Sequence, residues 1–187
     1  MKAILMDFPE KIETPRLYLR PCQPGDGKDV YEAIVRSQNE LKQWLPFAHL
    51  EPSLEASEQN VLKAFADFIL KEDIRLHIYR KEDDQFIGST GLHRINWDIP
   101  KFEIGYWIDT MHSKKGYITE AIEKLTQFAF HHYGAKRVEI RCDPNNLASK
   151  RIPEKLRYTL EGTLHNDCLS ADGKELRDTY IYAKTTN

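Results

Sequence analysis

The residues with the most chemical content lie in one short stretch between an apolar strand and a long helix. The strand ends at Ile108-Asp109, and Ser113-Lys114-Lys115-Gly116-Tyr117 then leads directly into the helix, with Thr119 and Glu120 in its first turn. Backbone N–H groups at a helix N-terminus attract anions together with the helix dipole, and two lysines add positive charge. The stretch therefore predicts a phosphate site, although it is neither a P-loop nor a dinucleotide-binding fingerprint. Taken alone, it is equally compatible with an ordinary turn.

Histidine and cysteine residues show no comparable pattern. His77, His93 and the adjacent pair His131 and His132 have no partner at metal-ligand spacing, and neighbouring helical residues point about 100° apart. Cys142 has no histidine paired with it in the sequence. We therefore expect neither a metal site nor a nucleophilic cysteine.

The composition is that of a globular protein. The chain has 187 residues, with 27 Lys and Arg against 29 Asp and Glu, and this near-neutral balance argues against binding to nucleic acid. No apolar run reaches the roughly 20 residues of a membrane span, and residues 1–10 do not resemble a signal peptide. Three cysteines without a CxxC motif favour the reducing cytoplasm. Since no linker or repeat divides the chain, we expect one domain over residues 1–187.

The elements that must position the phosphate-binding stretch alternate between strands and helices. Period-two alternation predicts strands at residues 14–20, 74–80, 86–95, 102–108, 137–142, 158–165 and 176–183. Helical periodicity and capping residues predict helices that follow Asp26 and that cover residues 39–45, 53–70, 118–133 and 146–156. Three strands in series form an antiparallel meander, and the last two strands form a hairpin. We therefore predict an α+β fold with one mixed sheet and helices on its faces.

Three segments, in this order, resemble the GNAT superfamily of acetyl-CoA-dependent N-acetyltransferases. They are Glu103–Ile108, Lys115–Ala121, and Asn146–Ser149 followed by Glu154–Leu156. The segments Glu13–Arg20 and Leu41–Pro46 look like the RimJ/RimL-type branch, which acetylates ribosomal proteins. The resemblance covers nearly the whole chain. It implies a mostly antiparallel sheet that is splayed at its centre and flanked by helices on both faces.

The resemblance implies acetyl-CoA as co-substrate and no metal. The pantetheine arm of coenzyme A would pair like an extra strand beside Trp107, Ile108 and Asp109, and Asn146 would hold a pantetheine amide. The diphosphate would lie on the backbone amides of the loop and first helical turn, which are Ser113, Lys114, Lys115, Gly116, Tyr117, Ile118 and Thr119. Ser113 stands where the family usually has Arg or Gln, and Ile118 where it has Gly or Ala. The side chains of Lys114 and Lys115 are candidates to replace the missing contact at Ser113.

The resemblance also implies direct attack of a neutral amine on the thioester. The backbone N–H of Trp107 or Ile108 would stabilise the oxyanion. Many members carry a catalytic tyrosine where this chain has Pro153, so Ser149 is the candidate general acid. Glu103, on the strand face of Trp107, is the candidate general base through a water molecule.

These candidate residues also have purely structural interpretations. Glu103 could pair with Arg94 or Lys101 on a solvated strand face. Asn146 and Ser149 lie where a helix begins and could serve only as caps. The sequence leaves both interpretations open.

The acceptor that fits the branch best is the N-terminal α-amine of a protein such as a ribosomal protein. An α-amine has a pKa of about 7.7–8.0, so it is partly neutral at pH 7 and needs only a weak base. Trp44 and Phe47 are candidate acceptor-pocket residues, although such a cluster is also typical of a core. A small-molecule acceptor (polyamine, amino acid or antibiotic) and a non-catalytic coenzyme A-binding module are the alternatives. Relatives of this branch often form dimers, which makes a homodimer a further expectation.

Overall fold

The strands found in residues 3–186, the part of the chain that the computed structural model describes, belong to one sheet. They are β1 Ile12–Glu13, β2 Leu17–Pro21, β3 Ile74–Arg80, β4 Gln85–Asn96, β5 Lys101–Ile108, β6 Arg137–Cys142, β7 Thr159–Leu169 and β8 Leu176–Thr185. The order across the sheet is β1-β2-β3-β4-β5-β6-β8-β7. Neighbouring strands are antiparallel except β5 and β6, which are parallel. The parallel pair lies at the centre of the sheet.

Helices pack on both faces of this sheet. They are α1 Gly27–Leu41, α2 Leu54–Leu70, α3 Tyr117–Tyr133 and α4 Leu147–Lys155. The larger core cluster joins α3 to the strands, and a smaller cluster on the other face joins α1 and α2 to β3 and β4. None of the helices described between residues 3 and 186 is long and apolar enough to cross a membrane.

Capping residues determine where the long helices begin and end. The Ser53 hydroxyl accepts the Ala56 N–H at 3.0 Å and starts α2. Gly134, with a positive φ of 63°, ends α3. Helix α3 therefore ends at Gly134 because glycine, without a side chain, readily adopts left-handed backbone.

The two central strands diverge after a short stretch of pairing. Only Lys101–Glu103 of β5 pair with Arg137–Glu139 of β6. No pairs form between the rest of β5 (Ile104–Ile108) and the rest of β6 (Ile140–Cys142). We call the space between these two segments the β5–β6 gap. The chain leaves β5 at the end of this gap and enters α3 through residues 109–116.

The predicted α+β fold is confirmed, with corrections at four positions. The predicted helix 39–45 is wrong, because α1 continues to Leu41 and a 3-10 helix follows at Pro46–His49. Strand β2 begins at Leu17 instead of Thr14, whose hydroxyl makes a long-range contact described below. Strand β7 continues past residue 165 to Leu169, with irregular pairing to β8. The two-residue strand β1 is too short for any periodicity to reveal.

Candidate active site

The loop that leads into α3 presents a row of free backbone amides. Lys114 and Gly116 both adopt left-handed backbone, with φ of 60° and 81°. Within residues 3–186 the N–H groups of residues 114–119 donate no hydrogen bond, and the first helical bond runs from Glu120 N–H to Gly116 O at 3.1 Å. We call residues 114–119 the amide row. A concave run of N–H groups at a helix N-terminus is suited to bind an anion.

Residues from the start of the chain hold the amide row in place. Glu120 accepts hydrogen bonds from the Thr14 hydroxyl at 2.6 Å, from Arg16 N–H at 2.9 Å and from Arg16 Nε at 2.7 Å. Arg16 also donates to Lys115 O at 3.1 Å and lies 4.6 Å over the Tyr117 ring. Burial would raise the pKa of Glu120, but the hydrogen bonds from Thr14 and Arg16 lower it. Sequence reasoning missed this brace because 104 residues separate Arg16 from Glu120.

The backbone of β5 has one edge paired with β4 and one edge facing the β5–β6 gap. Asp109 N–H donates to Ile87 O of β4 at 2.8 Å, and the two strands keep one register along this part of β5. Because N–H direction alternates along an antiparallel strand, Trp107 N–H also faces β4. The N–H groups of Tyr106 and Ile108 face the gap. Of the two predicted oxyanion donors, only Ile108 is directed toward the gap.

The Asp109 carboxylate is occupied by contacts inside the protein. It is fully buried and accepts two hydrogen bonds from Arg36 at 3.0 and 2.8 Å and one from Met111 N–H at 3.1 Å. Ser37 lies within 3.4 Å of the same carboxylate. This side chain therefore fastens α1 to the end of β5. The main chain of Asp109 is bonded as well, with its N–H on Ile87 O and its carbonyl accepting His112 N–H at 2.9 Å, so the predicted cofactor contact at Asp109 has no free N–H to make it.

Helix α4 begins beside the β5–β6 gap. Asn146 Oδ1 accepts Ser149 N–H at 3.0 Å, so Asn146 does cap α4. The Ser149 hydroxyl donates to Tyr106 Oη at 3.2 Å, and Tyr106 Oη donates to Ser149 O at 2.9 Å. Burial raises the pKa of Tyr106, which keeps this hydroxyl protonated. Although residue 153 is a proline, β5 thus supplies a phenol that bonds to the candidate acid Ser149, and sequence reasoning assigned Tyr106 no role.

Glu103 lies on the opposite face of β5 from Tyr106. Its side chain is 18% exposed, and Arg94 Nε lies 3.5 Å from Glu103 Oε2. That contact does not meet hydrogen-bond geometry, and Oε2 is buried without a hydrogen-bond partner in the described residues. The structural interpretation of Glu103 is therefore realised as an ion pair with Arg94, although Oε2 accepts no hydrogen bond from the described residues.

Of the two candidate acceptor residues, Phe47 lies near the end of β5. The Phe47 ring centroid is 6.3 Å from that of Trp107. Phe47 is 40% exposed and Trp44 is 36% exposed. The structure thus brings Phe47 to a predicted cofactor residue and leaves both aromatic surfaces accessible to a ligand.

Residues 3–186 contain no group of three or more His, Cys, Asp or Glu side chains arranged to hold a metal ion. All three cysteines are free thiols. Burial raises the pKa of Cys22 and of Cys142 to about 11, so both are protonated at neutral pH and poor nucleophiles.

An opened mixed sheet beside an amide-rich helix N-terminus is the arrangement of an acyl-transfer enzyme. The chain belongs to the GNAT acetyltransferase family, since the family described as "Acetyltransferase (GNAT) domain" matches residues 16–159. It is 35% identical over 148 residues to "Probable N-acetyltransferase YjcK" of Bacillus subtilis (strain 168), with 78% of this chain and 82% of YjcK covered.

Two further proteins are similar over most of the chain. The "Ribosomal-protein-serine acetyltransferase" of Escherichia coli (strain K12) is 27% identical over 179 residues, covering 90% of this chain and 92% of the relative. The microcin C7 self immunity acetyltransferase MccE, solved in complex with acetyl-CoA and AMP, has a TM-score of 0.86 at 22% identity, with 92% of this chain and 94% of that chain covered. The Escherichia coli relative is an acetyltransferase by name, and the structure of MccE has the same fold as this chain.

Proposed function

We propose that this protein transfers the acetyl group of acetyl-CoA to the N-terminal α-amine of a ribosomal protein. One observation carries the proposal: the amide row lies at the end of β5, whose unpaired edge borders the β5–β6 gap. The amide row fits a diphosphate. The unpaired strand edge fits an extended arm that hydrogen-bonds like an added strand. Together they fit two parts of coenzyme A, the diphosphate and the pantetheine arm.

The chain's own groups account for the contacts that coenzyme A needs. The loop amides from Lys114 to Thr119 would bind the diphosphate, and the main chain of Ile108 would bind the pantetheine arm. The other predicted amide donors are less suited to the cofactor: Ser113 N–H donates to Thr110 O, Asp109 N–H donates to Ile87 O, and Trp107 N–H faces β4. Asn146, beyond its capping bond, would offer its side-chain amide to the same arm. Arg16 joins the lysines as a cation near the diphosphate, since its Nη2 lies 3.6 Å from where a Cβ of Gly116 would be. Arg16 thus supplies positive charge at the loop, although residue 113 is a serine.

Three residues would carry the chemistry. Acetyl-CoA supplies a thioester whose carbonyl carbon an amine attacks. Ile108 N–H would donate to the carbonyl oxygen as negative charge develops there, worth about 3 kcal/mol for one well-aimed donor. The unpartnered Oε2 of Glu103 would accept the amine proton through a water molecule. Ser149 would protonate the departing sulfur, and Tyr106, which accepts from the Ser149 hydroxyl and donates to Ser149 O, would hold Ser149 in position.

The acceptor assignment is supported by the Escherichia coli relative, whose name specifies a ribosomal-protein serine. Phe47 and Trp44 would contact the acceptor beside Trp107. A small-molecule amine is the second candidate, because MccE, the structural neighbour solved with AMP, shares this fold.

The test is a measurement of acetyl-CoA turnover over a panel of acceptors. The panel holds peptides with the N-terminal sequences of ribosomal proteins, the same peptides with blocked α-amines, polyamines, free amino acids and aminoglycosides. Turnover with free but not blocked peptides is the expected result. Turnover confined to small amines would select the second candidate, and binding of coenzyme A without turnover of any amine would identify a non-catalytic module.

We further propose a cytoplasmic homodimer formed by the one acetyltransferase domain of residues 1–187. The three free cysteines fit a reducing compartment. The edge hairpin of β7 and β8 exposes four leucines that a second copy could cover: Leu160, Leu164, Leu169 and Leu176. Light scattering during size-exclusion chromatography tests the dimer, and a monomeric mass at micromolar concentration would contradict it.

A further inference from the structure

A histidine and an aspartate lie next to Glu103 on the same face of the sheet. His93 of β4 is the direct cross-strand partner of Glu103 on β5. Its Nδ1 lies 2.7 Å from Oδ2 of Asp73, the residue before β3. Because an ionised carboxylate can only accept hydrogen bonds, this contact places the ring proton on Nδ1. The lone pair of a neutral His93 is then on Nε2.

Two glycines let the His93 ring lie flat on the sheet. Its ring atoms come within 2.7 and 2.9 Å of the place a Cβ of Gly91 would occupy, and within 3.2 and 3.4 Å of that for Gly105. At Gly105 the 3.2 Å distance is to Cδ2 of His93 and the 3.4 Å distance is to its Nε2. Gly105 is the second residue beyond the last β5–β6 pair at Glu103. The basic nitrogen of His93 therefore lies over the paired glycines Gly91 and Gly105 of β4 and β5, and Gly105 borders the β5–β6 gap on its other side.

Strand β4 is irregular just after His93, where Arg94 and the carboxylates of Asp73 and Glu103 lie close together. The register of β4 and β5 shifts between His93 and Asn96, and Arg94 there has a positive φ of 46°. Bulges of this kind redirect side chains and occur often beside active sites. Two carboxylate oxygens next to the ring, Asp73 Oδ1 and Glu103 Oε2, are buried without a hydrogen-bond partner in the described residues. Such unsatisfied acceptors fit a water molecule or an amine.

We propose that His93, oriented by Asp73, is the base that finally accepts the proton of the attacking amine, while Glu103 holds the bridging water. The inference deepens the acetyl transfer proposed above and depends on it. As the amine nitrogen bonds to the acetyl carbon, Glu103 takes its extra proton through the water and passes it on to His93 Nε2. The carbon–sulfur bond then breaks with its electron pair on sulfur, which takes the proton of Ser149. His93 then releases its proton to solvent and Ser149 regains one from solvent, which leaves an amide, coenzyme A and both side chains as they began.

The other charged groups around the ring favour this transfer. Glu139 of β6 is already occupied, by Arg137 at 2.5 Å and Lys101 at 3.4 Å. The ring itself is faced by Asp73 from before β3, by Glu103 from β5, and by Arg94 on its own strand. The carboxylates of Asp73 and Glu103 outweigh the guanidinium of Arg94. They therefore stabilise the positive charge that His93 gains when it accepts the amine proton.

The test compares H93Q with a matched control. His165 also contacts an aspartate through Nδ1, with Asp178 Oδ2 at 2.9 Å, but its side chain is 78% exposed on the β7–β8 hairpin. We expect H93Q to lower kcat about 100-fold with saturating peptide. Acetyl-CoA affinity measured by calorimetry should be unchanged, and H165Q should match the wild type in both measurements.

A second readout does not depend on turnover. Nitrogen-15 NMR of histidine-labelled protein should show the neutral His93 ring protonated on Nδ1, and D73N should lose that preference. A neutral ring protonated on Nε2, or an H93Q variant within twofold of wild-type kcat, would overturn the role of His93 and leave acetyl transfer standing. A wild-type protein that acetylates no amine of the panel would overturn the proposed function, and this inference with it.

Discussion

At the scale of single residues, the partners of a side chain decide what it can do. Asp109 and Glu103 are carboxylates at two ends of β5. Asp109 is fully buried and satisfied by Arg36 and Met111, so it can only hold α1 against the strand. Glu103 keeps a buried oxygen without a hydrogen-bond partner in residues 3–186. The same strand thus carries one carboxylate suited to structure and one suited to proton transfer.

The first prediction concerns Glu103, whose Oε2 accepts no hydrogen bond from residues 3–186. E103Q should lower turnover about tenfold or more, because an amide holds the bridging water less strongly and carries no charge to support proton transfer. Acetyl-CoA affinity should stay nearly unchanged, since Glu103 lies on the face of β5 away from α4. Initial rates and calorimetry on the same preparation measure both quantities. Unchanged turnover would remove Glu103 from the reaction.

The second prediction concerns the pair of hydroxyls in α4 and β5. A thiol with a pKa of about 8.5 leaves tolerably well as its anion, so S149A and Y106F should each lower kcat only about three- to tenfold. Because the two hydroxyls share one hydrogen bond, the double variant should be little slower than the slower single variant. Y18F, which removes an exposed hydroxyl bonded to Asp84, is the matched control. Fully additive losses would show that the two groups act separately.

Local patterns revealed some of these residues and could not reveal others. Glu103 follows from strand alternation, and Asn146 from its place at a helix start. Tyr106 and His93 gave no signal, because their roles depend on which strand lies beside which. His93 in particular was considered only for metal binding, since its partner Asp73 is 20 residues away in the chain.

At the scale of elements, the connection from β5 to α3 does most of the positioning. Its strand and helix were predictable because apolar periodicity is a local property. The β5–β6 gap was not derivable from any pattern of residues, since it depends on where two distant strands stop pairing. The predicted helix 39–45 failed for the opposite reason: local helical propensity there did not show that α1 would absorb its first residues.

The third prediction belongs to this connection. G116V should weaken acetyl-CoA binding at least tenfold, because φ of 81° is unfavourable for a β-branched residue and a shift of the backbone would misdirect the amide row. Space alone is not the cause, as a Cβ at this position would approach only Arg16, at 3.6 Å. G173V, at a positive φ of 74° in the remote β7–β8 turn, is the control and should bind acetyl-CoA normally. Normal affinity of G116V would contradict the placement of the diphosphate.

At the scale of the whole molecule, polar contacts join segments that are far apart in the chain. Arg16, just before β2, holds Glu120 of α3, and Arg36 of α1 holds Asp109, just after β5. A third contact is centred on Asp26, before α1, whose carboxylate binds Arg20 at 2.7 and 2.8 Å and His77 at 2.8 Å. These contacts set how the helices sit on the sheet, and no local pattern predicts them.

The fourth prediction tests this network through the pH dependence of stability. Burial would raise the pKa of Asp26, but hydrogen bonds from His77, Arg20 and Gln23 N–H outweigh it and lower the pKa. A folded-state pKa below the unfolded value of about 3.9 adds stability above that pH, which is lost as the pH falls through and below it. D26N should therefore lower Tm by about 5 °C or more at pH 7, and by progressively less from pH 5 to pH 2.

Thermal denaturation followed by circular dichroism measures this difference. D98N, at an exposed turn residue, should leave Tm unchanged at both ends of the range. A Tm difference for D26N that stays constant with pH would show that the carboxylate is not held in its charged form by these partners.

The most direct measurement is a crystal structure of the protein with acetyl-CoA. The diphosphate should accept hydrogen bonds from the amide row, and the thioester should lie in the β5–β6 gap with its carbonyl oxygen at Ile108 N–H and its open face toward Glu103 and His93. A ligand bound elsewhere, or a gap closed by the protein's own side chains in the presence of saturating acetyl-CoA, would contradict the assignment.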